Sequence, residues 1–294
     1  MNEQTNEIDV EQLEEVAEKS AVQLSSENRG KNRRSPIERR EDIPRAHRVV
    51  VKVGSSSLTS IESSIDEQAV RMIVDALGGA KARGLELVFV SSGAITAGLA
   101  PLGLSRRPKN LAGKQAAAAV GQGLLMGRYI ESFARYGVTV GQVLVTAEDL
   151  MRRSHYKNTH RQIERLLDFG VLPIVNENDA VSSQEIKFGD NDRIAALIAH
   201  LIKADVLLLL SDVDALYTMD PRKGGERIPV VNDPIKDLEG VQIGSVGRAG
   251  VGSGGMVTKV QAARIAAASG IPALVTSAQN ITRALDGEDV GTWF

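Results

Sequence analysis

The sequence predicts an α/β fold, a three-layer αβα sandwich around a mostly parallel central sheet. Three observations carry that expectation. From residue 48 onward, short β-branched runs alternate with longer helix-like stretches, and a βαβα order builds a parallel sheet covered on both faces. The run Val206, Leu207, Leu208, Leu209, Leu210 is apolar without interruption, as a strand buried on both faces requires. Several helix-like stretches end in a glycine, at Gly84, Gly137, Gly170 and Gly270, the residue preferred just past a helix terminus.

Taken in order, residues 49–53 form a β-branched run that stops at Gly54, with Ser55, Ser56 and Ser57 able to cap a helix after the turn. A helix is expected at 66–83 and a strand at 85–90, which ends in Ser91, Ser92 and Gly93. A helix at 114–136 and a strand at 138–145 come next. A further helix at 155–169 leads to a strand at 171–175, which ends in Asn176, Glu177, Asn178 and Asp179. The cluster Gly189, Asp190, Asn191, Asp192 opens a helix at 192–202. The strand at 206–210 ends in Ser211 and Asp212. A helix at 256–269 and a strand at 273–276 close the pattern. Segments 180–189 and 215–237 break the rhythm and read as hairpins or loops beside a site.

The chain has 294 residues and a formal net charge of −2, which suits one large α/β domain or two small ones and gives no electrostatic case for nucleic acid. Aromatic residues are only 3%, too few for base-stacking platforms. Cysteine is absent, so disulfides, thiolate chemistry and zinc fingers are excluded. No apolar run approaches a membrane span and no hydrophobic signal region opens the sequence. A cytoplasmic protein without membrane contact is therefore expected. His47, His155, His160 and His200 are scattered and read as structural or surface residues.

Residues 1–46 differ from the rest. Met1 to Glu18 carries seven acids and no base, whereas Arg29 to Arg45 carries seven bases. With few large apolar side chains, this block reads as a disordered, charged N-terminal arm ahead of a domain at 47–294. Val10, Leu13 and Ala17 have helical spacing, which would suit a short acidic helix within it.

An open α/β sheet binds ligands at the carboxyl ends of its strands, and here those ends are small or polar. Gly252, Ser253, Gly254 and Gly255 precede the helix that carries Lys259, so glycine-enabled positive φ and a helix dipole could converge on an anion. No Walker A sequence is present. The stretch 250–255 fits G-x-G-x-x-G literally, but no strand leads into it and no acid lies about 20 residues further on, so a dinucleotide site fails on context. Lys52 is the lone charge in its strand, and by itself would suit an edge strand as well as a site. Ser92 could be a helix cap, as could Asp190 to Asp192, while Asp212 and Asp214 could be turn residues. Together, however, these clusters place donors, carboxylates and two lysines around one crevice. That inventory suits phosphoryl transfer, where catalysis is mostly positioning and charge stabilisation.

Eight segments then carry a resemblance: VVKVGSSSL, VFVSSGAITAG, KQAAAAVGQG, VGQVLVT, PIVNENDAV, IKFGDNDRIAA, LLLLSDVDALYTMDP and GSGGMVTKVQAA. In this order they cover most of the chain from Arg48 to Phe294, which resembles the amino acid kinase superfamily and, within it, the glutamate 5-kinases. The resemblance implies ATP-dependent phosphorylation of the γ-carboxylate of L-glutamate, giving γ-glutamyl phosphate as the first step of proline biosynthesis, with Mg2+ accompanying ATP. It implies that Lys52 and Lys259 stabilise the transferring phosphoryl group and that Asp190 holds the lysines in position. It places Ser92, Asp179 and Asn191 at the glutamate. It places Lys52, Ser211, Asp212, Ser253, Gly254, Gly255, Met256, Val257, Thr258 and Lys259 at the nucleotide. It assigns no protein side chain to a metal. Proline as feedback inhibitor and a homo-oligomer are further implications. The sequence stops at Phe294 where many relatives carry a C-terminal PUA domain. Another small-carboxylate kinase, such as acetylglutamate kinase, or a non-catalytic amino-acid sensor on the same fold remain alternatives.

Overall fold

The computed structural model describes residues 36–59, 65–181, 190–234, 236–239, 241 and 255–294. Strands β1 (Arg48–Val53), β2 (Glu86–Val90), β3 (Val140–Val145), β4 (Leu172–Glu177) and β5 (Val206–Ser211) alternate with helices. The main ones are α1 (Glu67–Ala82), α3 (Leu111–Ala134), α5 (Arg153–Asp168) and α6 (Asn191–Leu201). Two short helices, α2 (Ala94–Ala97) and α4 (Ala147–Met151), lie between them. A small antiparallel hairpin, β6 (Leu216–Tyr217) with β7 (Arg227–Ile228), comes after β5 within the expected 215–237 excursion. Helix α7 (Met256–Ala268), β8 (Ala273–Ser277), α8 (Ile281–Leu285) and β9 (Thr292–Trp293) complete the described chain. The expected loop at 180–189 falls almost wholly outside the described residues.

The seven strands of the main sheet run in the order β3-β4-β2-β1-β5-β8-β9, parallel except for β9. The sheet is buried on both faces. One face packs against α5, α6 and α7, and the other against α1, α3 and α8. Alternate residues of one strand divide between these cores: Val50 belongs to the first, Val49 and Val51 to the second. From β1 the chain moves toward β2, whereas from β5 it moves toward β8, so the connections diverge between neighbouring β1 and β5. This is the switch point where an open α/β sheet leaves a crevice. In register, Lys52 is level with Val90 of β2 and Leu209 of β5, so these three strands end together. Lys52 is therefore on a central strand, which removes the edge-strand reading.

Residues 36–46, grouped with the charged arm on composition, pack on the domain. A 3-10 turn at Arg40–Arg45 buries Ile43 completely. The buried Arg40 guanidinium donates to Val290 O at 2.9 Å and Pro229 O at 2.5 Å, and pairs with Asp289. Trp293 Nε1 donates to Glu38 O at 3.2 Å, so this strap clasps the β9 edge. Average composition hides such a segment, because one buried isoleucine and one buried, hydrogen-bonded arginine are enough to anchor it. The rest of the expected arm, with the Val10, Leu13, Ala17 spacing, lies outside the described residues.

Candidate active site

The crevice at the carboxyl ends of β1, β2, β4 and β5 gathers Lys52, Ser92, Asp179, Asp190, Asn191, Ser211, Asp212 and Lys259, residues far apart in sequence. Lys52 comes from the end of β1 and is 2% exposed; Lys259 comes from the first turn of α7 and is 4% exposed. Between them stands Asp192, fully buried. Its Oδ1 lies 2.5 Å from Lys52 Nζ and its Oδ2 accepts from Lys259 Nζ at 3.0 Å. Thr258 Oγ1 lies 2.9 Å from the same Oδ2 and 2.8 Å from Gly255 O, which ties the start of α7 to the start of α6.

Asp190, expected to hold both lysines, reaches Lys52 at 3.5 Å, and the carboxylate that meets both is Asp192. Local geometry explains the exchange. Asp190 is the N-cap of α6, and its Oδ1 accepts from the N–H of Asp192 at 3.0 Å. That capping bond turns the Asp190 carboxylate to the helix end, while Asp192, at the second helical position, points into the core. Burial alone would push the Lys52 ammonium down, but Asp192 and then Asp190 outweigh it and hold its pKa above the ordinary lysine range. Burial likewise opposes the Asp192 carboxylate, and the two lysines overcome it and hold its pKa far below the usual range.

The other wall of the crevice is built on β2 and β4. Asn191 Nδ2 lies 2.8 Å from Ser91 O, 2.9 Å from Ser92 Oγ and 2.8 Å from Asn176 Oδ1. Asn176 Nδ2 donates in turn to Gln122 Oε1 of α3 at 2.7 Å. Behind this turn, Tyr129 OH and Ser91 Oγ are 2.8 Å apart, and the Tyr129 ring meets Phe89 edge-on at 5.3 Å. Gly93 takes φ +95°, a conformation that only glycine adopts without strain, and so turns the chain from β2 into α2. Of the expected nucleotide segment, Ser253 and Gly254 lie outside the described residues. Gly255 caps α7 with extended backbone at φ −99°, and Met256, Val257 and Thr258 form the first turn. Ser211 Oγ donates to Asp212 Oδ1 at 3.2 Å beside them.

A profile of the amino acid kinase family matches residues 47–277. The chain belongs to the amino acid kinase family. Its curated relatives include proteins named glutamate 5-kinase from Salinispora arenicola, 59% identical over 87% of this chain and 69% of that one. Those from Streptomyces coelicolor and Bifidobacterium animalis subsp. lactis are 59% and 52% identical, over 87% and 88% of this chain and 68% and 69% of theirs. Among solved structures, an isopentenyl phosphate kinase aligns with TM-score 0.57 over 84% of this chain and 99% of that one. At 20% identity this shows the shared amino acid kinase fold.

Within this amino acid kinase site, sequence reasoning missed the bridging role of Asp192, and also Arg107 and Lys114, which line the same crevice, while Asn176 was placed in a strand-end cluster without a role of its own. Asp192 stood in plain view two residues after Asp190. The usable signal was helix phase: an N-cap points along the axis, and the second helical residue can point inward. Among the described residues no group of three or more His, Asp or Glu side chains could hold a metal ion, and no helix is long and apolar enough to cross a membrane.

Proposed function

We propose that this chain transfers the γ-phosphoryl group of ATP to the γ-carboxylate of L-glutamate. One carboxylate oxygen attacks the γ-phosphorus, the bond from that phosphorus to the β,γ-bridging oxygen breaks, and γ-glutamyl phosphate and ADP result. The observation that carries this reading is the buried Lys52–Asp192–Lys259 bridge at the sheet's switch point, in a chain similar to glutamate 5-kinases. Charge spreads over the transferring oxygens in the transition state, and two ammonium groups fixed in a dry crevice stabilise it more than the ground state. Asp192 prevents those ammonium groups from repelling each other, so they cost little reorganisation during the reaction.

Ser92 and Asn191 would orient the glutamate, and Asp179 would take its ammonium. Ser211, Asp212 and the 253–259 segment would hold the nucleotide. The donor set favours magnesium carried on the phosphate oxygens of ATP, whose charge it would neutralise. The kinase unit is read as residues 47–294, with 36–46 as its clasp. Proline would compete at the glutamate side, because its carboxylate and ammonium need the same partners, raising the apparent KM for glutamate and leaving that for ATP unchanged. A cytoplasmic homo-oligomer acting in proline biosynthesis is the accompanying proposal.

The test is an acyl-phosphate trap. Purified protein, ATP, magnesium and hydroxylamine are incubated with glutamate, acetylglutamate, aspartate or UMP. Glutamate gives a hydroxamate signal well above the others. Equal turnover of acetylglutamate would sink the assignment.

A further inference from the structure

The ammonium groups of Lys52 and Lys259 are committed to Asp192, but a third lysine in the crevice is not. Lys114 is the fourth residue of α3, is half-buried, and lines the crevice wall beside α2. It stands three and four residues before Ala117 and Ala118, and seven before Gly121, all buried. That spacing puts it on the helix face that packs against α2 rather than on the solvent face. Among the described residues it makes no ion pair and no side-chain hydrogen bond. A half-buried lysine facing a polar cavity, with no carboxylate paired to it, keeps its ammonium available to a group that enters the cavity. Such a group is complementary to an anion that arrives with the ligand.

The proposed substrate brings two carboxylates. The γ-carboxylate must lie at the Lys52 side to receive the phosphoryl group. The α-carboxylate then needs a cation elsewhere, and the other cations lining the crevice among the described residues are Lys114 and the exposed Arg107. We propose that Lys114 binds the α-carboxylate of the amino-acid substrate and so sets the requirement for an α-amino acid. This rests on the glutamate reading above and adds to it a specificity residue on α3. Arg107, on the rim, contributes less, because water screens an exposed charge.

The experiment compares L-glutamate with its α-amide, L-isoglutamine, which keeps the γ-carboxylate and replaces the α-carboxylate by a neutral amide. Wild-type protein and the Lys114→Met and Lys114→Arg variants are assayed, with thermal unfolding and glutamate binding measured alongside. Wild type prefers glutamate by on the order of 10² in kcat/KM, the discrimination a site built for a charged group gives. Lys114→Met raises the KM for glutamate by on the order of tenfold or more, with kcat and the KM for ATP changed only a few-fold. Its kcat/KM for isoglutamine stays within a few-fold of wild type, so the preference collapses, and Lys114→Arg restores part of it. If Lys114→Met fails to fold, Lys114→Gln takes its place in the same comparison. An equal loss with both substrates, or an unchanged preference, overturns the role of Lys114. A wild-type protein inert with glutamate overturns the parent reading, and this one with it.

Discussion

Asp192 Oδ2 accepts a hydrogen bond from Lys259 Nζ at 3.0 Å, joining the first turn of α6 to the first turn of α7 inside the core. The other oxygen of the same carboxylate meets Lys52 of β1 at 2.5 Å, so three separate elements share one buried charge centre. The arrangement is a fold contact and, in the proposed function, also the reaction centre, and substitutions within it separate the two roles.

Lys259→Ala lowers kcat by on the order of 10² to 10³, the usual loss for one preorganised charge at a transferring group. It leaves Asp192 paired with Lys52, so folding survives. Asp192→Ala removes the partner of both lysines and costs about 3–5 kcal/mol of stability as well as turnover. Urea unfolding and steady-state kinetics on both variants check the contrast. Equal destabilisation by both would show that the bridge acts as a structural pair only.

Gly121 of α3 lies against α2 so closely that an added Cβ would run into Ala94 O, with Gly98 N 2.6 Å away. The reciprocal position, Gly98, faces Ala117 O in the same way. Gly121→Ala therefore forces the helices apart and destabilises by about 1–3 kcal/mol, as overpacking does. Because α2 continues directly from Ser92 and Gly93, the KM for glutamate rises while that for ATP holds. A variant with wild-type stability and KM would show that the contact gives way freely.

The N-terminal strap divides two truncations. Removing residues 1–35 keeps the Arg40 and Ile43 contacts and leaves activity within a few-fold. Removing residues 1–46 strips the cover from β9 and leaves the Val290 and Pro229 carbonyls without Arg40, lowering the melting temperature by several degrees. Arg40→Ala costs about 1–3 kcal/mol alone. Thermal unfolding of the two truncations and the point variant tests this, and equal melting temperatures would count against a clasp.

His200 gives the fold a pH dependence. It is buried on α6, its Nε2 has no hydrogen-bond partner among the described residues, and its ring lies 6.3 Å from that of Tyr156. Burial, aided by the Lys203 charge, pushes its pKa down to about 4 from 6.5. The unfolded chain then binds the proton more readily than the folded one. The neutral ring is accommodated fully above pH 6.5, and stability is lost as pH falls from there toward 4, by up to about 3 kcal/mol. Urea midpoints at pH 7.5 and 5 measure the slope, and His200→Gln flattens it. An undiminished slope in that variant would assign the effect elsewhere.

Much of this molecule was legible in local pattern. The five long helices and the parallel strands emerge from periodicity and glycine punctuation, because each is a repeating local signal. The helix expected at 114–136 forms over Leu111–Ala134, and the apolar run at 206–210 becomes the fully buried β5. Strand β9 carries no such signal, since two residues have no period, and it forms because β8 offers an open ladder edge.

The site was legible as an inventory of residues and not as an arrangement. Lys52, Ser92 and Ser211 could be picked out because parallel strands must end where ligands bind, and Asn191 and Lys259 because a polar cluster and a Gly-rich turn open their helices. Which acid joins the lysines depends on the phase of α6, where one residue caps the helix and the next but one turns inward. That choice, like the approach of Lys114 to the crevice and the docking of residues 36–46, rests on contacts between segments distant in the chain. The sequence by itself determined the long helices, the parallel strands, their order and the polar residues at the strand ends, because those are properties of neighbours along the chain. Only the tertiary structure decided that Asp192 lies between Lys52 and Lys259, because burial and ion pairing are properties of neighbours in space.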